Sequence, residues 1–234
     1  KTSNTYKLTG DVIINNDNKG YFPINIEDGK TFDGDNFDIE YTGTTDWKGL
    51  FKVISGTSGN TMTFTVKNIK FKLEGADIIG YCGGIIQGQG TNNETSFPEY
   101  TNITVENCHI SSTNGKIIKN KAGGIVGLGF GCGTGETGTI TNCSNSLQIG
   151  KSDQTTEGGG ICGRLVGNTT ISYCWNEGSI NKNCGGICGS AAGKLGAVEI
   201  KYCYNSGDFT HTYCGGICGT YASEVNIFNC YNTG

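Results

Sequence analysis

Gly185-Gly186-Ile187-Cys188-Gly189 is followed, nine residues on, by Val198-Glu199-Ile200-Lys201-Tyr202-Cys203-Tyr204-Asn205-Ser206-Gly207. The same series returns at Gly215-Gly216-Ile217-Cys218-Gly219 and Val225-Asn226-Ile227-Phe228-Asn229-Cys230-Tyr231-Asn232-Thr233-Gly234. Working backwards, Gly-Gly-Ile also stands at Gly159-Gly160-Ile161, Gly123-Gly124-Ile125 and Gly83-Gly84-Ile85. Each copy is followed by an Asn-Cys or Tyr-Cys pair: Asn107-Cys108, Asn142-Cys143, Tyr173-Cys174, Tyr202-Cys203 and Asn229-Cys230. Self-similarity of this kind marks a repeat architecture. The apolar residues inside a unit alternate with period two, as in Val198-Glu199-Ile200-Lys201 and Thr139-Ile140-Thr141, which is strand spacing with one face inward. A unit of two or three such strands is too small to bury its inner face alone. Stacking the units buries it and pairs every backbone N–H with the coil above or below. The fold class expected is therefore all-β, a parallel β-solenoid in which Ile stacks on Ile. Buried Asn stacks on Asn, exchanging side-chain amide hydrogen bonds.

The pattern Gly-Gly-Ile-Cys-Gly, then Val-x-Ile-x-x-Cys-Tyr-Asn-x-Gly, resembles the GLUG repeat of bacterial and protist surface proteins, found in adhesins and in non-catalytic regions of immunoglobulin A peptidases. The resemblance covers residues 82–234 and is closest in the last three units; Gln87 replaces a motif glycine, and long inserts follow Gly88 and Gly127. It implies a right-handed parallel β-helix serving as a stalk or binding surface, and it carries over no catalytic residue. Residues 1–81 read as opening coils of the same solenoid, with Val12-Ile13-Ile14, Ile24-Asn25-Ile26, Thr31-Phe32-Asp33-Gly34 and Val66-Lys67-Asn68-Ile69 as strands and turns.

Forty of the 234 residues are glycine and only 2 are proline, without the collagen period. The net charge is −4, and Arg164 is the sole arginine, so the clustered basic and aromatic residues of a nucleic-acid surface are missing. No apolar run is long enough to span a bilayer. Lys1 reads as a processed or trimmed start.

Twelve cysteines all lie between Cys82 and Cys230. With the Asn-X-Ser/Thr sequons at Asn93, Asn102, Asn142 and Asn168, they point to an oxidising, extracellular or cell-surface setting. Aligned by repeat, they form columns: Cys108, Cys143, Cys174, Cys203 and Cys230; Cys162, Cys188 and Cys218; Cys82, Cys184 and Cys214; with Cys132 in an insert. Neighbours in a column stand about 4.8 Å apart, within the Cα range for a disulfide of about 4.4–6.8 Å. Two readings stay open: disulfides along the columns, favoured for the glycine-motif cysteines, or buried free thiols acting as small hydrophobes. Cys-x3-Cys at Cys184/Cys188 and Cys214/Cys218 is a metal spacing, but it recurs as part of the repeat, so no metal is assigned.

Catalysis finds little to work with. The half between Cys82 and Gly234 holds only two aspartates, Asp153 and Asp208. The cluster Asp33, Asp35 and Asp38 falls in a turn where Asp and Gly are expected, and it lacks the EF-hand pattern. His109 and His211 sit beside no nucleophile motif. Thr61-Met62-Thr63-Phe64-Thr65 carries the Thr-x-Thr alternation of water-ordering solenoids once; the repeats do not continue it, so it reads as an edge strand. Trp175, Tyr204 and Tyr231 form one aromatic column and Tyr173 and Tyr202 another, read here as core stacking, with an outward binding ladder as the alternative. The expectation is a non-catalytic structural protein without cofactor. Its unit ends mid-repeat at Tyr231-Asn232-Thr233-Gly234, which points to end-to-end self-association. The alternative is an adhesin module binding glycans or cell-surface proteins through the insert Gly88–Tyr100 and its aromatics, with a β-helix carbohydrate enzyme a more distant third.

Overall fold

A computed structural model describes residues 4–88, 97–151 and 156–234. The chain winds as a parallel β-solenoid of about seven turns. Each coil has four short sides. The first carries β1 (Thr5–Lys7), β4 (Lys30–Asp33), the opening half of β7 (Met62–Leu73), the opening half of β8 (Thr101–Ser111), β10 (Thr137–Thr141), β13 (Thr169–Ser172), β15 (Val198–Lys201) and β17 (Val225–Phe228). The second carries β2 (Val12–Ile14), β5 (Asp38–Tyr41), the closing halves of β7 and β8, β11 (Ser144–Asn145), β14 (Trp175–Asn176), β16 (Tyr204–Asn205) and β18 (Tyr231–Asn232). The third stacks Trp47, Ile78, Ile118, Ile149, Ile180 and Phe209, with β9 (Ile117–Ile118) and β12 (Gln148–Ile149). The fourth runs from β3 (Ile24–Asn25) and β6 (Phe51–Lys52) through Ile86, Val126, Cys162, Cys188 and Cys218. Among the described residues every strand pair is parallel and joins one coil to the next, and β7 and β8 carry one sheet from the opening coils into the cysteine-rich repeats. The run Thr61–Thr65, expected as an edge, therefore lies in the middle of the sheet, between β4 and β8.

Period-two alternation sets what each coil buries. On the first side Phe32, Val66, Val105, Ile140, Ile171 and Ile200 stack inward. On the second side an apolar column of Ile39, Phe71 and Ile110 passes into Asn145, Asn176, Asn205 and Asn232. The asparagines hydrogen-bond as expected: Nδ2 of each donates to Oδ1 of the next at 2.7, 2.6 and 2.6 Å. Each also donates within its own turn, Asn145 to the Leu147 carbonyl, Asn176 to Gly178 and Asn205 to Gly207.

The next coil's backbone and this ladder together explain the second glycine of the motif: a Cβ at Gly160 would collide with the Gly186 carbonyl oxygen, and one at Gly186 with that of Gly216. A Cβ at Gly160 would lie 2.6 Å from Asn176 Oδ1, and at Gly186 2.8 Å from Asn205 Oδ1. The fourth side approaches the amide ladder so closely that only hydrogen fits.

The sides join at a corner held by a left-handed residue: Asn68, Asn107, Asn142, Tyr173, Tyr202 and Asn229 have φ of 57, 50, 52, 53, 55 and 51°. Asparagine tolerates this region better than other side chains with a Cβ. The outer amides form a second ladder, Asn107 donating to Asn68 at 2.8 Å and Asn142 to Asn107 at 3.0 Å. The two tyrosines have no amide to exchange and instead stack their rings.

Candidate functional site

The corner orders three consecutive residues of each repeat into three environments. Cys174 points inward and is fully buried, Trp175 points outward, and Asn176 points inward again. Tyr204 and Tyr231 repeat the position of Trp175, and Tyr173 and Tyr202 occupy the corner itself. The aromatics are therefore not core residues, as the repeat alone suggested. Tyr173 is 57% exposed, Tyr202 47% and Tyr231 56%. The reason is parity: cysteine and asparagine already take the inward places on either side.

Tyr173 and Tyr202 stack with centroids 5.1 Å apart and planes 11° from parallel; Tyr204 and Tyr231 stack at 5.1 Å and 6°, and Trp175 and Tyr204 at 6.1 Å and 8°. Rings at this spacing close their faces on one another. The ridge therefore presents ring edges and phenol hydroxyls, not open platforms.

Next to this ridge, His109 is linked to Ser144 Oγ through Nδ1 at 2.9 Å and to Asn107 Oδ1 through Nε2 at 3.0 Å. Sequence spacing did not foresee this contact, because it is made between coils. The order Ser, His, Asn has the connectivity of a nucleophile, base and orienting acceptor. However, the His109 and Trp175 rings come within 5.4 Å of each other over the rung between them, which is Ser144, and Ser144 is only 9% exposed. The hydroxyl is roofed by the two rings, and the arrangement serves the stack. Burial, and then the charge of Lys70, hold the His109 imidazole below its ordinary pKa.

All twelve cysteines are free thiols. The column geometry supplies the reason. Residues stacked in register are related by a translation of about 4.8 Å, so their Cβ atoms keep that separation, beyond the disulfide range of about 3.5–4.5 Å. The thiols do other work. Cys108, Cys143, Cys174, Cys203 and Cys230 each donate to the carbonyl two residues earlier, at 3.2–3.3 Å. The Cys174 and Cys203 N–H groups donate in turn to the Sγ of the next coil at 3.4 Å. The carbonyls of Ser172, Lys201 and Phe228 also accept a backbone N–H from the preceding coil, so what the thiol adds is an acceptor for the Cys174 and Cys203 N–H groups that an aliphatic side chain would not supply.

In the glycine motif Cys162, Cys188 and Cys218 stack in one column. Cys184 and Cys214 stack in another, where the coils between them and Cys82 carry Ala122 and Gly158. Cys132 donates to the Leu165 carbonyl at 2.6 Å. Burial pushes the Cys82 thiol up to about 11 and those of Cys132 and Cys184 up to about 12. Among the described residues no group of three or more His, Cys, Asp or Glu is arranged to hold a metal ion.

The acidic turn is taken up locally. Asp33 accepts from Asn68 Nδ2 at 2.8 Å and the Asp35 N–H at 3.0 Å, and its other oxygen lies 3.6 Å from Lys67. Burial opposes its ionisation, but these hydrogen bonds and the lysine charge outweigh it and hold the carboxyl below the usual range. Asp35 pairs with Lys7 and Asp38 with Lys72. Of the sequons, Asn93 lies outside the described residues, as does most of the insert Gly88–Tyr100. Asn102 and Asn168 are exposed on the first side, whereas the exposed Asn142 commits its amide to Asn107. No helix among the described residues is long and apolar enough to cross a membrane.

Compared with family models, curated proteins and solved structures, the chain matches none of them.

Proposed function

We propose that this chain is a non-catalytic structural element, a stiff rod segment of an extracellular or cell-surface fibre or stalk. The observation that carries the reading is the use made of the repeated positions. The inner amide ladder, the thiol column and the aromatic stacks all join one coil to the next, and none converges on a cleft. Placement outside the cell is supported by the GLUG resemblance and by the exposed acceptors Asn102 and Asn168. The cysteine count no longer supports it, since buried reduced thiols suit any compartment. Axial stacking of a second copy is the association that such coils favour, because parallel ladder edges pair with further strands.

Electron microscopy of concentrated native protein tests this. Filaments whose axial repeat matches a seven-coil rod of about 34 Å, at about 4.8 Å per coil, would support it. Isolated particles at every concentration would refute end-to-end assembly.

The exposed tyrosines Tyr173, Tyr202 and Tyr231, with Tyr204 half-buried beneath them in the stack, favour a second reading, an adhesive module. Closed ring faces suit a partner that meets edges and hydroxyls, so protein arrays are the sharper probe and glycan arrays the control. Loss of a captured partner on Tyr202→Ser would support adhesion, and retention would refute it.

A further inference from the structure

The strand register reveals an order that sequence spacing concealed. Thr5 pairs with Thr31, Thr31 with Thr65, Thr65 with Thr104, Thr104 with Thr139 and Thr139 with Thr170. Six successive coils thus place threonine at one outward position of the first side, and the alternation at Thr63-Phe64-Thr65 is one rung of a ladder. The column two residues earlier holds Thr63, Asn102 and Thr137, with Asn168 next in line. The column two residues later is charged in the opening coils, Lys7, Asp33, Lys67 and Glu106, and turns to Thr141 and Ser172 beyond them. Across β10 and β13 the face is therefore an uncharged patch with Thr139 and Thr170 at its middle, bounded by Glu106 on one side and by the Glu199–Lys201 ion pair, on the rung after Thr170 and Ser172, on the other.

These side chains are free to act on solvent. Thr31, Thr65, Thr104, Thr139 and Thr170 are all partly exposed, and among the described residues their hydroxyls have no protein partner. A β-branched side chain on a strand is stiff at χ1, so hydroxyl and methyl groups repeat at the rung spacing of about 4.8 Å. In a tetrahedral water network with O···O of about 2.75 Å, oxygens two bonds apart lie about 4.5 Å from each other. One rung therefore departs from that lattice by about 0.3 Å. Water held on successive hydroxyls, with the methyls between them, is prearranged in the spacing of ice at little entropic cost. A protein partner would need aromatic or arginine anchors at the centre of the patch, and this array has none.

We propose that the threonine face of the first side binds ice. The inference stands apart from the structural role above. Asn102 and Asn168 lie on the same face, and Thr104 and Thr170 are the hydroxyl residues of their sequons. A glycan at either would cover the array, so the active form is the one without glycan there.

The test is the freezing behaviour of the full chain produced without glycosylation. A gap between melting and freezing temperatures that grows with concentration, with inhibited recrystallisation of ice, is expected. Thr139→Lys and Thr170→Lys each insert a long charged side chain into the lattice and should lower the activity about tenfold or more, as for a central contact. Thr139→Val keeps the strand shape and removes the hydroxyl, which keeps the test sound should a lysine variant fold poorly. Lys52→Ser, on an exposed position of the fourth side, should leave the activity intact. Circular dichroism of each variant checks the fold. Identical melting and freezing points for the parent chain, or full activity in folded Thr139→Lys, would overturn the proposal. So would binding to crystalline polysaccharide, lost in the same variants, without any effect on ice.

Discussion

Removing one amide from the middle of the inner ladder should cost far more than removing one from its end. Asn176 is fully buried; it donates to the Gly178 carbonyl at 2.7 Å and to Asn205 Oδ1 at 2.6 Å, and it accepts from Asn145 at 2.7 Å. In Asn176→Ala, Asn205 Oδ1 keeps the Gly207 N–H at 3.3 Å, and Asn145 keeps one bond to Leu147. Two groups are orphaned: one N–H of Asn145 and the Gly178 carbonyl. A buried polar group left unpaired costs about 1–3 kcal/mol, so the variant should lose about 4 kcal/mol. Asn232 has an exposed side chain and bonds one ladder neighbour, Asn205. Water replaces it there, and Asn232→Ala should cost less than about 1 kcal/mol. Urea unfolding followed by the fluorescence of the adjacent Trp175 reads the difference. With an m-value of about 3 kcal/mol/M, Asn176→Ala should lower the midpoint by about 1.3 M. Asn176→Asp should be worse at neutral pH, because a carboxylate cannot donate to Gly178 and faces the Asn205 oxygen. Equal small shifts for Asn176→Ala and Asn232→Ala would refute the account, showing that the ladder follows the packing of the glycine strands without stabilising it.

Four further outcomes follow from the thiols, the corner and the histidine. Titration of denatured protein without reductant should yield 12 reactive thiols, and disulfide mass shifts would contradict this. Because folding raises the thiol pKa values, to about 11 at Cys82 and about 12 at Cys132 and Cys184, their stabilising effect is complete below the unfolded value of 9.0. It is lost as pH climbs through the folded values, so the urea midpoint should fall steadily above pH 9.0. Tyr173→Asn exchanges a ring stack worth about 0.5–1.5 kcal/mol for a residue better suited to φ of 53°. Its stability should stay within about 1 kcal/mol of the parent, whereas Tyr173→Val loses the stack and strains a β-branched residue, and should cost more. His109 has a depressed folded pKa, so its contribution is present above pH 6.5 and fades as pH falls through the folded value. His109→Gln should flatten the acid limb of the stability profile, and an unchanged limb would exclude His109 as its source.

The architecture was legible because its cause is local. Alternation in Val198-Glu199-Ile200-Lys201 fixes strands, and a glycine pair repeated five times fixes the recurrence of the turn. The inner asparagine ladder was legible for the same reason: Asn176, Asn205 and Asn232 hold a constant place after the cysteine. The aromatic column was equally visible but its direction was not. Counted from the inward Ile171, plain alternation puts Trp175 inward; the left-handed Tyr173 turns the chain without taking a rung of the core, so Cys174 points inward and Trp175 outward. Between disulfides and buried thiols, the two readings the cysteine columns left open, a different point decides for the thiols seen here. Cα spacing permits a bond, but translational stacking fixes Cβ spacing too, and that emerges only once the cysteines are known to be in exact register with their neighbours.

The threonine ladder shows why a solenoid hides its sites more thoroughly than its fold. In a globular enzyme a site gathers a few side chains at one point, and a motif of fixed spacing often betrays it. In a solenoid the equivalent object is a column, one residue from each coil, and its spacing in sequence varies with every loop. The loops after Gly88 and Gly127 separate Thr65 from Thr104 and Thr104 from Thr139 in sequence, yet each pair lies on adjacent rungs of the sheet. The structural columns face inward and tolerate little change, since Asn176 must meet Asn205 and Gly160 must clear Asn176. The outward columns owe the fold nothing beyond strand propensity, which tyrosine, valine and isoleucine supply as well as threonine. Six threonines in one outward column, beside a column where Lys7, Asp33, Lys67 and Glu106 alternate in charge, are thus not demanded by coil stacking. Chemistry facing the solvent is the remaining ground on which that column is set apart, and the outward ladders are where the functions of this chain are to be sought.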